Sequence, residues 1–119
     1  MLTAEPSVQA TIFAQVDARL NRSRLYLEIL HRARDAGLGG ATVLAGIEGF
    51  GDSGVLHTDR ILDLGDGLPV VVILIDSGPR LRRFVEEIAD VAGGLTVTFK
   101  EVTVLRGDPR EDARTRRDP

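Results

Sequence analysis

The sequence predicts an α+β fold of the ferredoxin-like type, with a four-stranded antiparallel sheet and both helices on one face. Two observations predict it. The 119 residues contain four apolar segments typical of strands and two segments whose apolar residues recur at helical spacing. These segments follow one another as β-α-β-β-α-β, which is the split βαβ arrangement. One domain over residues 8–106 accounts for all six segments.

The strands are predicted at residues 8–16, 41–48, 68–75 and 95–105, and the helical stripes at residues 26–36 and 81–91. In the last strand the apolar phase changes after Phe99, which predicts a bulge near Lys100 and Glu101. Pro6 discourages regular structure, so residues 1–7 are expected to be a loose end.

Polar residues and glycines mark the ends of the two helices. Asn21 or Ser23 can cap the first helix, because either side chain can accept a bond from an unpaired amide of the first turn. Asp76 or Ser77 can cap the second helix in the same way. Gly37 suits the left-handed position that follows a helix end.

Composition excludes several classes of protein. The net charge of -3 argues against a nucleic-acid binder, which needs a clustered basic surface. The absence of Cys excludes disulfides and thiolate metal sites. No apolar run is long enough to span a bilayer, and the first residues lack the features of a signal peptide, so a cytoplasmic protein is expected. The charged tail, residues 107–119, is expected to be disordered.

The third strand predicts association with further copies of the chain. Residues 70–75 are apolar without a break, so both faces of this strand need cover. The helices can cover one face, and Phe13 adds a large apolar side chain to the other. A closed homo-oligomer would bury that second face, and three sheets packed about an axis, a trimer, is the predicted form.

The long excursion between the second and third strands, residues 49–67, carries the candidate binding residues. Glycine lets backbone amides approach a phosphate closely, which makes Gly49, Phe50 and Gly51 candidates for ligand contact. The alternative is that these residues only turn the chain out of the strand. Connections of this length in compact domains are usually functional or mobile.

The polar residues of the excursion suggest binding and no catalysis. His57 and Thr58 are candidates for loop hydrogen bonding and ligand contact. A metal held by His57 with Asp52 and Asp59 has only a loose spacing in its favour, so no metal site is predicted. The sequence contains no recognisable set of nucleophile, base and orienting group, and an enzyme is not expected.

Three segments carry a resemblance to a known family: GATVLAGIEGFG at residues 40–51, HT at residues 57–58 and LPVVVILIDS at residues 68–77. They closely resemble the small PII-like family catalogued as domain of unknown function 190, over roughly residues 8–106. More distantly they are similar to PII nitrogen-signalling proteins. There, a Thr-Val strand ends in Gly-Phe-Gly and opens the T-loop.

The resemblance implies a cytoplasmic signalling protein, usually trimeric, with the sheets packed inside the assembly. In PII proteins a nucleotide lies between subunits, and the T-loop reports its presence to a transporter or enzyme. An adenine nucleotide is therefore the candidate ligand, and Arg106 lies near where PII proteins place phosphate-binding arginines. Arg106 could equally be a solvated residue that leads into the charged tail.

The sequence also departs from PII proteins. Residues 92–96, which replace the phosphate-cradling loop, are short and contain no basic residue. The T-loop lysine and the modifiable tyrosine have no counterpart between residues 51 and 68. The alternative function is therefore an interaction module that regulates a membrane transporter without any ligand.

Overall fold

One sheet and two helices build the domain in the computed structural model, which describes residues 1–49, 57–58 and 67–109. In chain order the main elements are β1 (Leu2–Gln15), α1 (Leu25–Asp35), β2 (Gly40–Ala45), β3 (Pro69–Asp76), α2 (Gly78–Val91) and β4 (Thr96–Gly107). The strands lie in the order β2-β3-β1-β4, and every neighbouring pair is antiparallel. The predicted ferredoxin-like fold is confirmed.

The core lies between the helices and one face of the sheet. Successive side chains of a strand point to opposite faces, and the even-numbered residues of β1 and β3 point toward the helices. The buried apolar residues are Ala10, Ile12, Val70, Val72 and Leu74 of the sheet, Leu20 before α1, Leu25, Ile29 and Ala33 of α1, and Leu81, Phe84 and Ile88 of α2. Both helices therefore cover the same face, as predicted.

The first strand is longer than the sequence predicts. It begins at Leu2, and its first six residues pair with β4 alone, because β3 joins the ladder only at Val8. Pro6 lacks an N–H group but is tolerated in a strand whose outer edge is open at that position. The expectation of a loose end over residues 1–7 was wrong for this reason.

The predicted bulge in the last strand is absent. β4 pairs with β1 in one unbroken register from Leu2 opposite Gly107 to Phe13 opposite Thr96. The apolar residues of β4 change from one face of the strand to the other because the first part of the strand lies beside the helical core and the last part does not. Val97 and Phe99 pack against the helical core, whereas Val102 and Val104 point to the other face, beyond the end of β3.

The observed helix caps agree only in part with those predicted from the sequence. α1 has Arg24 at its N-cap position, without a side-chain cap bond, so neither Asn21 nor Ser23 is the cap. Ser77 occupies the N-cap position of α2, also without a side-chain bond to the helix. Gly37 has the predicted left-handed conformation, with a φ of 72°.

The face of the sheet that the helices do not cover, called the open face below, carries a group of apolar side chains. We call this group the sheet patch: Phe13, Leu44, Val71, Ile73 and Ile75, which lie on three neighbouring strands in register. Phe13 is 46% exposed and Leu44 is 52% exposed, while the three β3 residues are half-buried. The third strand is thus apolar on both sides, as predicted.

Neither α1 nor α2 has the length and hydropathy that crossing a bilayer requires, and the described residues contain no other helix that does. The predicted disorder of the tail concerns mainly residues 110–119, which lie outside the described residues. β4 extends to Gly107, so the first residue of the predicted tail belongs to a strand.

Candidate functional site

A short antiparallel ladder lies at the start of the long excursion and brings three of the predicted site residues together. Glu48–Gly49 pairs with His57–Thr58, so that Gly49 is opposite His57 and Glu48 is opposite Thr58. Phe50 and Gly51, the other two predicted contacts in this segment, lie outside the described residues.

Both ends of the excursion are fastened to the end of the sheet. The Gly46 N–H donates to the Pro69 carbonyl at 2.8 Å, and the Val16 N–H donates to the Leu68 carbonyl at 2.8 Å. A Cβ at Gly46 would lie 2.8 Å from Pro69 Cγ, closer than side chains approach one another. Glycine at this position lets the chain that leaves β2 at Ala45 lie close beside the start of β3.

Arg106 lies at the opposite end of the sheet from this ladder. It is opposite Thr3 near the end of β4, its side chain is 60% exposed, and its Nε lies 4.0 Å from Glu5 Oε2. Along β1, Thr3 is about 36 Å from Ala14, the residue beside the start of the excursion. Within one chain, the structure therefore does not bring Arg106 to Gly49 and His57.

The connection between α2 and β4 is as short and neutral as the sequence suggests. Only Ala92 to Leu95 separate the two elements, and Gly94 turns the chain with a φ of 75°. A Cβ at Gly93 would meet nothing within 4 Å. This turn has open space beside it but offers no basic side chain to a phosphate.

Within the described ranges, no group of three or more His, Asp or Glu side chains is placed to hold a metal ion. Asp52 and Asp59, which the weak metal hypothesis would join to His57, lie outside those ranges.

Sequence analysis did not foresee the role of Asp76, which it considered only as a cap. The carboxylate of this residue, 9% exposed, accepts hydrogen bonds from the Gly39 N–H at 2.7 Å and the Ser77 N–H at 2.6 Å. Arg80 Nη1 lies 3.1 Å from Asp76 Oδ2, and Arg80 Nη2 donates to the Ala36 carbonyl at 2.9 Å. This cluster fastens the α1–β2 turn to the β3–α2 junction.

The same contacts set the acidity of Asp76. Partial burial by itself would raise its pKa. The N–H donors of Ser77 and Gly39 and the charge of Arg80 together outweigh burial and hold the pKa of Asp76 below its ordinary value. The signal in the sequence was an Asp at a strand end with an Arg four residues later.

Solved structures of PII-like proteins share this fold. CPII from Thiomonas intermedia K12, a nitrogen regulatory PII-like protein bound to ADP, AMP and bicarbonate, superposes with a TM-score of 0.59 at 14% identity, covering 86% of this chain and 98% of CPII. A putative PII-like signaling protein from Thermus thermophilus gives a TM-score of 0.57 at 18% identity, covering 87% of this chain and 91% of that one. At such identities the likeness establishes the fold alone.

Sequence relatives are closer. A UPF0166 protein of Aquifex aeolicus (strain VF5) is 36% identical over 94 residues, which cover 79% of this chain and 89% of the relative. The sequence profile of the DUF190 family, described as uncharacterized ACR, COG1993, matches residues 7–104. The matched range contains β2, β3 and both helices whole, together with most of β1 and β4. The chain therefore belongs to the DUF190 family.

Proposed function

We propose that the chain is a cytoplasmic regulatory protein of the PII-like type that acts by binding and not by catalysis. In this proposal three copies form a closed ring with their open faces inside. An adenine nucleotide binds between neighbouring subunits, and residues 49–67 contact a protein target whose activity depends on that binding. A membrane transporter is the candidate target, by resemblance to PII proteins.

The observation that carries the proposal is the sheet patch. Burying a large apolar side chain contributes about 1.5–3 kcal/mol, and the sheet patch holds five such residues on one continuous surface. Monomeric proteins seldom leave so large an apolar surface in water. Copies of the same chain are the simplest cover, because the patch lies on the regularly paired part of the sheet and flat sheets of the same shape can pack on one another.

The separation of the candidate site residues supports a site between subunits. Gly49 and His57 lie at one end of the sheet, and Arg106 lies near the other end, about 36 Å away along β1. One ligand of nucleotide size cannot touch both ends of a single chain. A site that uses the Gly49 ladder and Arg106 is therefore possible only where two chains meet.

The charge of the candidate site favours a nucleotide with few phosphates. Arg106 is the single arginine or lysine among the candidate contacts, and the α2–β4 connection provides none. An arginine fork can bind one phosphate through two parallel bonds. CPII, which shares the fold, was solved with ADP and AMP bound. ADP and AMP are therefore the first nucleotides to test, and ATP is expected to bind more weakly.

Thermal unfolding in the presence of ADP, AMP, ATP or bicarbonate tests the ligand. A ligand at 100 times its dissociation constant adds about 2.7 kcal/mol to the free energy of unfolding and raises the melting temperature accordingly. We expect this shift with ADP or AMP, and we expect Arg106→Gln to reduce it. The matched control is Arg34→Gln, an exposed arginine on α1 whose replacement should leave the shift unchanged. No shift with any of these compounds would overturn the ligand part of the proposal.

One observation favours the alternative, a module that binds its target without a ligand. The α2–β4 connection lacks the basic residues that hold phosphates in PII proteins. Affinity capture of the target, repeated with and without added ADP, separates the two functions. The alternative predicts equal capture in both conditions, and loss of capture when residues 54–64 are deleted. Capture that changes with ADP contradicts it.

A further inference from the structure

The open face carries a second apolar group, separate from the sheet patch. β1 and β4 continue together beyond the end of β3, and their residues 2–7 and 102–107 form a two-stranded ribbon about 20 Å long. Val102 and Val104 lie on the open face of this ribbon, and we call them the ribbon patch. A polar band made by Gln9, Thr11, Thr98 and Lys100 lies between the two patches.

Within the described residues, β3 pairs with β1 only from Val8 onward, so residues 2–7 of the ribbon pair with β4 alone. α2 begins at Gly78, beside Val8, where the ribbon leaves the sheet. Leu2 and Leu105, on the face of the ribbon directed toward the helices, are 64% and 59% exposed. A two-stranded ribbon on its own is marginally stable in water. The regular pairing of residues 2–7 with 102–107 is therefore best explained by a further surface that holds the ribbon in place.

The small size of the ribbon patch limits which kind of partner can provide the surface that holds the ribbon in place. A stable specific interface buries about 1,200–2,000 Å² in total, far more than two valines can provide. The ribbon patch cannot recruit an independent partner by itself. It can only extend an interface whose main contact lies elsewhere on the same face, and the sheet patch provides that contact. The partner is then a second copy of this chain.

Two unlike patches on one face are suited to a ring. In a two-fold dimer a single patch meets its own copy, whereas in a cyclic ring each subunit offers one surface to one neighbour and a different surface to the other. We propose that the ribbon patch of each subunit packs on the sheet patch of the next subunit, near Phe13 and Leu44. This proposal rests on the homo-oligomer of the proposed function and specifies which surfaces meet in it.

The absence of cysteine in the chain makes a direct test possible. Two differently tagged copies, one carrying Phe13→Cys and the other Val104→Cys, are coexpressed and oxidised, or treated with a short bis-maleimide. A disulfide requires the two Cα atoms to come within about 7 Å. We expect a covalent dimer that contains both tags. We expect no covalent dimer from either variant alone.

The matched control replaces Val104→Cys by Leu105→Cys, the next residue of β4, which points to the opposite face of the ribbon and is already 59% exposed. It should not cross-link to Phe13→Cys. Leu44→Cys, at a neighbouring position of the sheet patch, substitutes for Phe13→Cys if that variant does not fold. Gel filtration under reducing conditions verifies that each variant keeps its assembly.

The outcomes separate this proposal from the proposed function. A trimer that gives no covalent product between the two patches overturns the contact but leaves the regulatory function standing. Cross-linking of Phe13→Cys or Val104→Cys with itself also overturns it, because like patches would then meet. A wild-type protein that sediments as a monomer overturns both proposals.

Discussion

Two residues hold the corner of the fold where the α1–β2 turn meets the start of α2. Asp76 accepts two backbone bonds, and Arg80 connects its carboxylate to the carbonyls of Ala36 and Gly37, just past the end of α1. The side chain of Asp76 is only 9% exposed to water, so its hydrogen bonds are costly to lose. The bonds to Gly39 and Ala36 join segments that are 37 or more residues apart in the chain, and no local pattern reveals them.

Replacement of Asp76 by Asn should therefore destabilise the protein. The amide has a single acceptor oxygen and no charge for Arg80, so at least one partner is left unpaired, at a cost of about 1–3 kcal/mol. Chemical unfolding at neutral pH measures the change. Asp35→Asn is the control, since that side chain is 74% exposed and, among the described residues, forms an ion pair only with its neighbour Arg34. Equal stability of the two variants would contradict the role of Asp76.

The same residue should make stability depend on pH in the acid range. The pKa of Asp76 is lower in the folded chain than its ordinary value of 3.8, so its ionised form favours folding. This contribution is complete above the ordinary pKa and is lost as the pH falls through the folded pKa. The free energy of unfolding of the wild type and that of Asp76→Asn should therefore become more similar below about pH 4. If the two free energies differ by the same amount down to about pH 2, ionised Asp76 does not contribute to stability in this way.

Gly46 lies where β2 ends close to the ring of Pro69. Alanine there would place its Cβ against the Pro69 ring, and the overpacking should cost about 1–3 kcal/mol. Gly93→Ala is the control, because a Cβ at that position meets nothing within 4 Å. Urea unfolding of the two variants measures the difference. A Gly46→Ala protein as stable as Gly93→Ala would show that β2 and β3 separate easily at this end.

At the scale of elements, α2 has its charges in the unfavourable order. Arg80, Arg82 and Arg83 lie in its first half, whereas Glu86, Glu87 and Asp90 lie toward its C-terminus. The helix dipole favours the opposite order. Arg82 instead lies over the Phe99 ring, 4.8 Å from its centre, and so fastens the helix to β4. Packing of the apolar stripe, and not the charges, therefore stabilises this helix.

Reversing one charge at the end of α2 should consequently stabilise the protein. Asp90→Lys removes an anion from the last turn and adds a cation, a gain of about 0.3–1 kcal/mol at low salt. The urea midpoint, compared at equal protomer concentration, should rise in the variant. The gain should shrink in high salt, since solvent ions screen the dipole. A lowered midpoint at low salt would contradict this account of the helix.

At the scale of the whole molecule, the sheet has one face covered by helices and one apolar face left open. The open face combines the sheet patch with the ribbon patch, and the candidate site residues lie at its two ends. Assembly and ligand binding are therefore expected to depend on the same surface. A variant that breaks the assembly should also lose the ligand.

Phe13→Glu tests this link. Loss of one buried aromatic contact, about 1.5–3 kcal/mol, raises the dissociation constant of the assembly roughly 10- to 100-fold, and the introduced charge adds to that. Sedimentation equilibrium at micromolar concentration should show a trimer for the wild type and smaller species for the variant. Leu27→Glu, on the outer surface of α1 at 38% exposure, should keep the trimer. Dissociation of both variants alike would mean that the open face is not the interface.

The sequence by itself determined the order of the elements, the apolar stripe of each helix and the family. These properties depend on local periodicity and on motifs, which a chain carries residue by residue. It also indicated that β3 is apolar on both sides, because an unbroken run of valine, isoleucine and leucine has no polar phase.

Only the tertiary structure decided the properties that depend on which strands end where. β1 begins at Leu2 because β4 is long enough to pair with it. The apolar residues of β4 change from one face to the other because β3 ends at that point, and not because the strand contains a bulge. Local pattern shows that Asp76 and Arg80 are one helical turn apart, but it could not show their bonds to Gly39 and Ala36 or the distance between Arg106 and the Gly49 ladder. The bonds and the distance both depend on how segments far apart in the chain lie relative to one another in the fold. The residues next to each segment in the sequence carry no information about that arrangement.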